Sequence, residues 1–229
     1  MNILIINGNP KEGGFIGRAV EIAMDRLFGQ KINSEIIPLR NAKIQDCAGC
    51  FHCLRTGSCT LKDDMDIIVP KMLAADGYVM ASAVRNADVT ACYKRFYERI
   101  TYRLGFPLLL EDKHTLAISA VGFMGGKSIN RRMLGLQDVC HTRLSAHLHF
   151  VVGIPTKSME KRQASRIEAA VTSLVADIRS QKGRALTQSA AFAFDRFIMR
   201  RFIFSKNEAV YNNVIQSWKN KGYISNLKT

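Results

Sequence analysis

Asn2-Ile-Leu-Ile-Ile-Asn7 runs straight into Gly8-Asn-Pro-Lys-Glu-Gly-Gly14 and from there into a stretch, Phe15–Phe28, whose apolar residues recur at helical spacing. An uninterrupted apolar run of this length, rich in isoleucine and bounded by glycine, reads as a strand buried on both faces. The turn after it collects backbone N–H groups at the positive end of a helix, with Lys11 close by, which suits a phosphate. Glycine at such a place also serves simply to reverse the chain, so the turn alone does not decide function.

The same alternation recurs through most of the 229 residues. Strands are predicted at Asn2–Asn7, Asn33–Leu39, Gly77–Ser82, His114–Val121 and His147–Gly153, and helices at about Phe15–Phe28, Asp64–Ala75, Asp88–Leu104, Ser128–Leu144 and Glu160–Gln181. Such alternation marks an α/β protein with a parallel sheet covered on both faces. Five units of this kind fit a flavodoxin-like, doubly wound five-stranded sheet in the order 2-1-3-4-5. Ligands of these sheets sit beyond the carboxyl ends of the strands, near the switch between strands one and three. Residues 1–181 are assigned to this unit and 182–229 to a helical C-terminal extension.

A cysteine loop leaves the same edge after the second strand: Cys47, Cys50, Cys53 and Cys59 lie within thirteen residues. Thiolates at that density can converge on a metal centre, and the C-x2-C-x2-C-x5-C spacing is similar to a bacterial ferredoxin run, without the proline that follows the fourth cysteine there. Redox-active or idle thiols remain an alternative. Zinc fits less naturally, because structural zinc sites set two separated pairs of ligands. The chain starts directly in an apolar strand with no charged leader, which predicts a reducing cytoplasm and free thiols over disulfides.

The order of these loops from Met1 to about Gln181, and above all the block Cys47-x-Gly-Cys-x-x-Cys-x-x-x-Gly-x-Cys59 followed by Asp63-Asp64-Met65, resembles the iron–sulfur flavoprotein branch of the NADPH-dependent FMN reductase family. The resemblance implies an FMN held by three loops beside a [4Fe-4S] cluster on Cys47, Cys50, Cys53 and Cys59. The family's Ser-Pro-Arg-x-x-Gly-Asn-Thr pattern falls on Asn9, Lys11, Gly14, Phe15 and Ile16, so a hydroxyl donor is lost at Ile16 and a bidentate guanidinium at Lys11. Where the family has Ser-Pro-Val-Tyr-Phe-Gly-Ser, this chain reads Ser82, Ala83, Val84, Arg85, Asn86, Ala87, Asp88 before the matching helix Lys94-Arg-Phe-Tyr-Glu-Arg99. An arginine plane can still stack on a flavin ring. The third loop carries Gly122, Gly125 and Gly126, read either as the cover of the flavin edge or as a flexible strand–helix link.

His141, His147 and His149 read as surface or core histidines, and Cys92 and Cys140 as small apolar groups inside helices. No G-x-S-x-G elbow of the hydrolase kind is present. The tail changes character: Ala190–Phe204 places many aromatic groups on a helix with Arg196, Arg200 and Arg201, expected to dock on the domain or on a neighbouring subunit rather than on a membrane surface. No apolar run is long enough to cross a bilayer. The formal charge of +14 attracts an anionic partner, but the basic residues form no nucleic-acid reading motif.

Three function classes stand at this point. The first is an electron carrier with FMN and a four-iron cluster, fed by reduced ferredoxin or NAD(P)H and assembled as a homo-oligomer, dimer or tetramer. The second is an NAD(P)H-dependent FMN or quinone reductase without a cluster. The third is a flavin-less relative that uses the fold for binding.

Overall fold

The computed structural model describes residues 1–153 and 157–225. Five parallel strands, β1 (Asn2–Asn7), β2 (Asn33–Pro38), β3 (Gly77–Ala83), β4 (His114–Val121) and β5 (Arg143–Val151), form one sheet in the order β2-β1-β3-β4-β5. The expected sheet is therefore the observed one. Side chains alternate across β1: Ile3 and Ile5 face one side, Leu4 and Ile6 the other. Helices α1 (Gly14–Gly29) and α6 (Lys157–Arg179) cover the first face, and α3 (Met65–Ala74), α4 (Ala91–Ile100) and α5 (Lys127–Leu134) the second. Both faces are dry, which is why the central strands carry no polar alternation. Gly77 shows how closely α6 lies on the sheet: an added Cβ would stand 2.6 Å from Ile178 Cδ1 and 3.0 Å from the His114 carbonyl oxygen.

Several boundaries differ from expectation. The helix predicted at Ser128–Leu144 ends at Leu134, because Leu136 and His141 adopt left-handed backbone conformations that break it. Strand β5 accordingly starts at Arg143 instead of His147; as an edge strand with half-exposed side chains it carries polar residues that hide its periodicity. The Asp88–Leu104 prediction resolves into α4, capped by Thr90, whose Oγ1 accepts from Tyr93 N, and a π-turn over Thr101–Gly105. Cys140 is buried as expected, but in the bend after α5 and not in a helix.

Beyond α6 the chain forms α7 (Leu186–Ile198), a π-turn (Met199–Ile203), a 3-10 turn (Phe204–Lys206) and α8 (Asn212–Asn220). The helix expected at Ala190–Phe204 thus begins earlier and loses α-helical form after Ile198. This tail docks on its own chain. Phe192, Phe204, Val214, Ile215 and Trp218 pack with Leu108 and with Leu54 of α2 (His52–Thr56), the short helix inside the cysteine loop. Trp218 Nε1 donates to the Phe106 carbonyl at 2.8 Å and Ser217 Oγ to that of Pro107 at 2.6 Å. Buried Glu111 accepts from Tyr223 Oη at 2.6 and 2.7 Å and from Lys221 Nζ at 3.0 Å, and pairs with Arg184. No helix among the described residues is long and apolar enough to cross a membrane.

Candidate functional site

Three loops and the cysteine loop project from the carboxyl edge of the sheet. In the first, Asn9 is buried and acts as a brace: its Nδ2 donates to the carbonyls of Lys11 at 2.6 Å and Gly13 at 2.8 Å. Gly13 and Gly14 hold φ of 67° and 68°, a conformation that other residues reach only with strain. Helix α1 has no side-chain cap, so the amides of its first turn are left for another acceptor. That is the fit expected for a phosphate. Phe15 and Ile16 do not contribute side chains to it: Ile16 lies in the core and Phe15 packs on Phe150 at 4.9 Å, so only their backbones remain available. Lys11 is exposed.

The second loop closes on itself. Arg85 N donates to Asp88 O at 2.8 Å and Asp88 N to Arg85 O at 2.9 Å, around Asn86 and Ala87 with φ of 47° and 63°. Ser82 Oγ is also consumed internally, donating to the Ala83 carbonyl and accepting from Thr90 N. Val84 is buried, whereas Arg85 and Asn86 stand exposed at the rim. The third loop abuts the second, since a Cβ on Gly125 would lie 3.6 Å from that of Ala87. Gly122 is exposed and Gly126 caps α5.

Beside the third loop runs an open groove of about 740 Å³, lined by Phe123, Met124, Lys127, Arg131, His149 and Val151 among others. Of the three histidines expected at the surface or in the core, His149 lines this groove, and the pairing of Ser119 with His149 across β4 and β5 brings both of them together with His147. Ser119 Oγ lies 2.7 Å from His149 Nδ1 and 3.4 Å from His147 Nε2. Burial, then the charges of His149, Arg131 and Lys127, push His147 down to about 4; burial and Lys127 also lower His149. Two histidines at i and i+2 on a strand was the available signal.

All six cysteines are free, with Cys50 exposed and Cys47, Cys53 and Cys59 half-buried. The His52 N–H lowers the Cys50 thiol. Burial pushes Cys53 up to about 11, followed by the charges of Cys59, Cys47 and Cys50. One sulfur thus feels all three of its neighbours, a repulsion that a positively charged core would relieve, and four thiolates are the donor set of a four-iron cluster. Among the described residues, however, no three Cys, His, Asp or Glu side chains stand close enough as placed to hold a metal ion. Behind the loop, Arg99 reaches Cys59 and Asp63. Burial alone would raise the Asp63 carboxyl, but bonds from Arg99, Gln45 N and Met65 N hold it below the usual carboxylate range.

The sequence profile of the NADPH-dependent FMN reductase family matches residues 1–153. An iron–sulfur flavoprotein of Methanocaldococcus jannaschii is 31% identical over 121 residues, covering 52% of this chain and 63% of the relative; one of Methanosarcina thermophila is 31% identical over 130 residues, covering 55% and 66%. The chain therefore spans just under two thirds of the length of these curated relatives. An iron–sulfur flavoprotein of Archaeoglobus fulgidus is 32% identical over 141 residues, covering 60% of this chain and 68% of the relative. Among solved structures, a flavone reductase superposes with a TM-score of 0.63 at 17% identity over 81% of this chain and 65% of its own. The NAD(P)H:quinone oxidoreductase of Methanothermobacter marburgensis gives 0.61 at 16% identity over 76% and 96%. At such identities these two speak for the fold alone. With the profile covering the sheet from β1 to the end of β5 and the relatives sharing its sequence, the chain belongs to the NADPH-dependent FMN reductase family, in its iron–sulfur flavoprotein branch.

Proposed function

We propose that the chain is a flavin-dependent oxidoreductase that passes electrons from reduced ferredoxin or NAD(P)H to a small acceptor, with FMN on residues 9–16, 82–86 and 122–126 and a [4Fe-4S] cluster on Cys47, Cys50, Cys53 and Cys59. Residues 1–181 form the flavin-binding unit and 182–229 its extension, in a homo-oligomer. The single observation that carries this reading is the placement of α4. At its N-terminal end Thr90 Oγ1 donates to the Gly8 carbonyl of the phosphate-type turn at 2.6 Å. At its C-terminal end Arg99 holds the cysteine loop. A ten-residue helix is about 15 Å long, so one rigid rod fixes both loops at short range.

When bound, FMN supplies hydride chemistry and the cluster single-electron transfer, while the protein sets binding and potential. In this reading the first-turn amides of α1 hold the phosphate, Asn9 keeps the turn open to it, and Arg85 provides a planar cation at the rim for the flavin ring. His149 on the groove wall and His147 beside it share Ser119 Oγ, and burial disfavours the charged form of both rings.

Substitution separates the ligands from the bystanders. Cys50→Ser should lose iron and acid-labile sulfide while keeping FMN, and Cys92→Ser should keep both. Full iron in Cys50→Ser would overturn the ligand assignment. A second reading, an NAD(P)H-dependent FMN or quinone reductase with idle cysteines, draws support from the ungathered thiols; FMN with no iron in the unsubstituted protein would establish it.

A further inference from the structure

We propose that Arg99 is a positioning residue for the cysteine loop: it locks the loop at its base and donates a hydrogen bond to the Cys59 sulfur, holding that thiolate beside a buried positive charge. The proposal rests on the reading of Cys47, Cys50, Cys53 and Cys59 as cluster ligands and goes beyond it. Arg99 lies on α4, 40 residues from Cys59 in sequence, and no cysteine spacing points to it. Its side chain and that of Asp63 are 2% and 4% exposed. Both terminal nitrogens of the guanidinium donate twice. Nη1 donates to Asp63 Oδ2 at 2.5 Å and to the Gln45 carbonyl at 2.8 Å; Nη2 donates to Asp63 Oδ1 at 3.2 Å and to Cys59 Sγ at 3.5 Å.

Asp63 completes the lock by accepting from Gln45 N at 2.9 Å and Met65 N at 3.0 Å. Gln45 stands just before Cys47 and Asp63 just after Cys59, so this set of bonds draws the two ends of the loop together over α4. Burying two charges is costly, and an apolar pair would serve packing at least as well. An ion pair is explained here by the donor it leaves for sulfur. Hydrogen bonds and positive charge at a ligating sulfur favour the reduced, more negative state of a cluster and raise its potential. A lysine keeps the charge but presents no planar fork, so it cannot serve Asp63, Gln45 and Cys59 together.

The test uses Arg99→Lys and Arg99→Met in the whole protein, with two readouts. One is the cluster midpoint potential from an anaerobic redox titration. The other is the rate of tryptic cleavage after Arg55 and Lys62, within the loop, in protein stripped of iron. Arg99→Lys should retain iron with a more negative midpoint. Arg99→Met should be cleaved at least about tenfold faster, because removing one partner of a buried pair opens the loop. Should Arg99→Met fail to fold, Arg99→Lys carries both readouts, with faster cleavage expected. A wild-type midpoint together with wild-type trypsin resistance in Arg99→Lys would overturn the proposal. If the unsubstituted protein holds no iron, the cluster reading falls, and the cleavage rates still decide whether Arg99 locks the loop.

Discussion

Trp218→Ala tests whether the tail is part of the fold or an ornament on it. Trp218 is 3% exposed, stands edge-on to Phe204 at 5.0 Å between ring centres, and donates through Nε1 to the Phe106 carbonyl at 2.8 Å. A buried aromatic of this size removes about 200 Å² from water, worth about 5 kcal/mol at about 25 cal/mol per Å². The alanine keeps a fraction of that burial and the area figure is an upper bound, which brings the loss to about 4 kcal/mol, within the range for large-to-small core changes. The stranded Phe106 carbonyl adds about 1 kcal/mol. Total stabilities of natural domains are only about 5–15 kcal/mol, so this is a large share. With the two losses together at about 5 kcal/mol and an m-value of about 2 kcal/mol/M, the urea midpoint followed by circular dichroism should fall by about 2.5 M. A midpoint within about 0.5 M of the wild type would refute the claim that the docked tail is part of the fold.

Two further outcomes are expected. Acid should destabilise the protein before its carboxylates titrate: His141 and His147 are both pushed down from 6.5 to about 4, chiefly by burial. The unfolded chain therefore binds more protons than the folded one in that window, and stability is lost as pH falls from about 6.5 towards 4. A melting temperature unchanged between about pH 7 and 4.5 would contradict this. Gly8→Ala places a Cβ 2.9 Å from Tyr93 Cβ and Cδ2 and 3.2 Å from the Ala81 carbonyl oxygen, so the phosphate-type turn must shift. FMN affinity, read by quenching of flavin fluorescence, should fall at least about tenfold, a loss of about 1.4 kcal/mol of binding free energy; wild-type affinity would remove that turn from the site.

How much of this was legible depended on how local each signal was. The inner strands announced themselves because burial on both faces leaves Ile3-Leu-Ile-Ile6 wholly apolar and gives His114–Val121 an apolar stretch, Leu116-Ala-Ile118, between its small polar residues. Strand β5 was legible only from His147 onward, since its half-buried edge position admits Arg143, Ser145, His147 and His149. The five-residue α2 is too short to show a helical period, and the nine-residue α8 buries only Val214, Ile215 and Trp218, too few positions to mark a helix by their spacing. At the site, the cysteines and Asp63 could be found from spacing, but the partner that joins Asp63 to Cys59 sits on another helix and is set by the topology. Phe15 and Ile16 occupy the expected positions while turning their side chains to the sheet, a distinction that a linear motif does not encode.

The central claim is that FMN and a four-iron cluster share this carboxyl edge. An ultraviolet–visible spectrum of protein purified without oxygen, with iron, sulfide and FMN determined on the same sample, tests it most directly. The account predicts flavin bands above a broad iron–sulfur shoulder, with about four irons per chain and FMN in equal amount to protein. A colourless protein that takes up neither FMN nor iron and sulfide on reconstitution would contradict it.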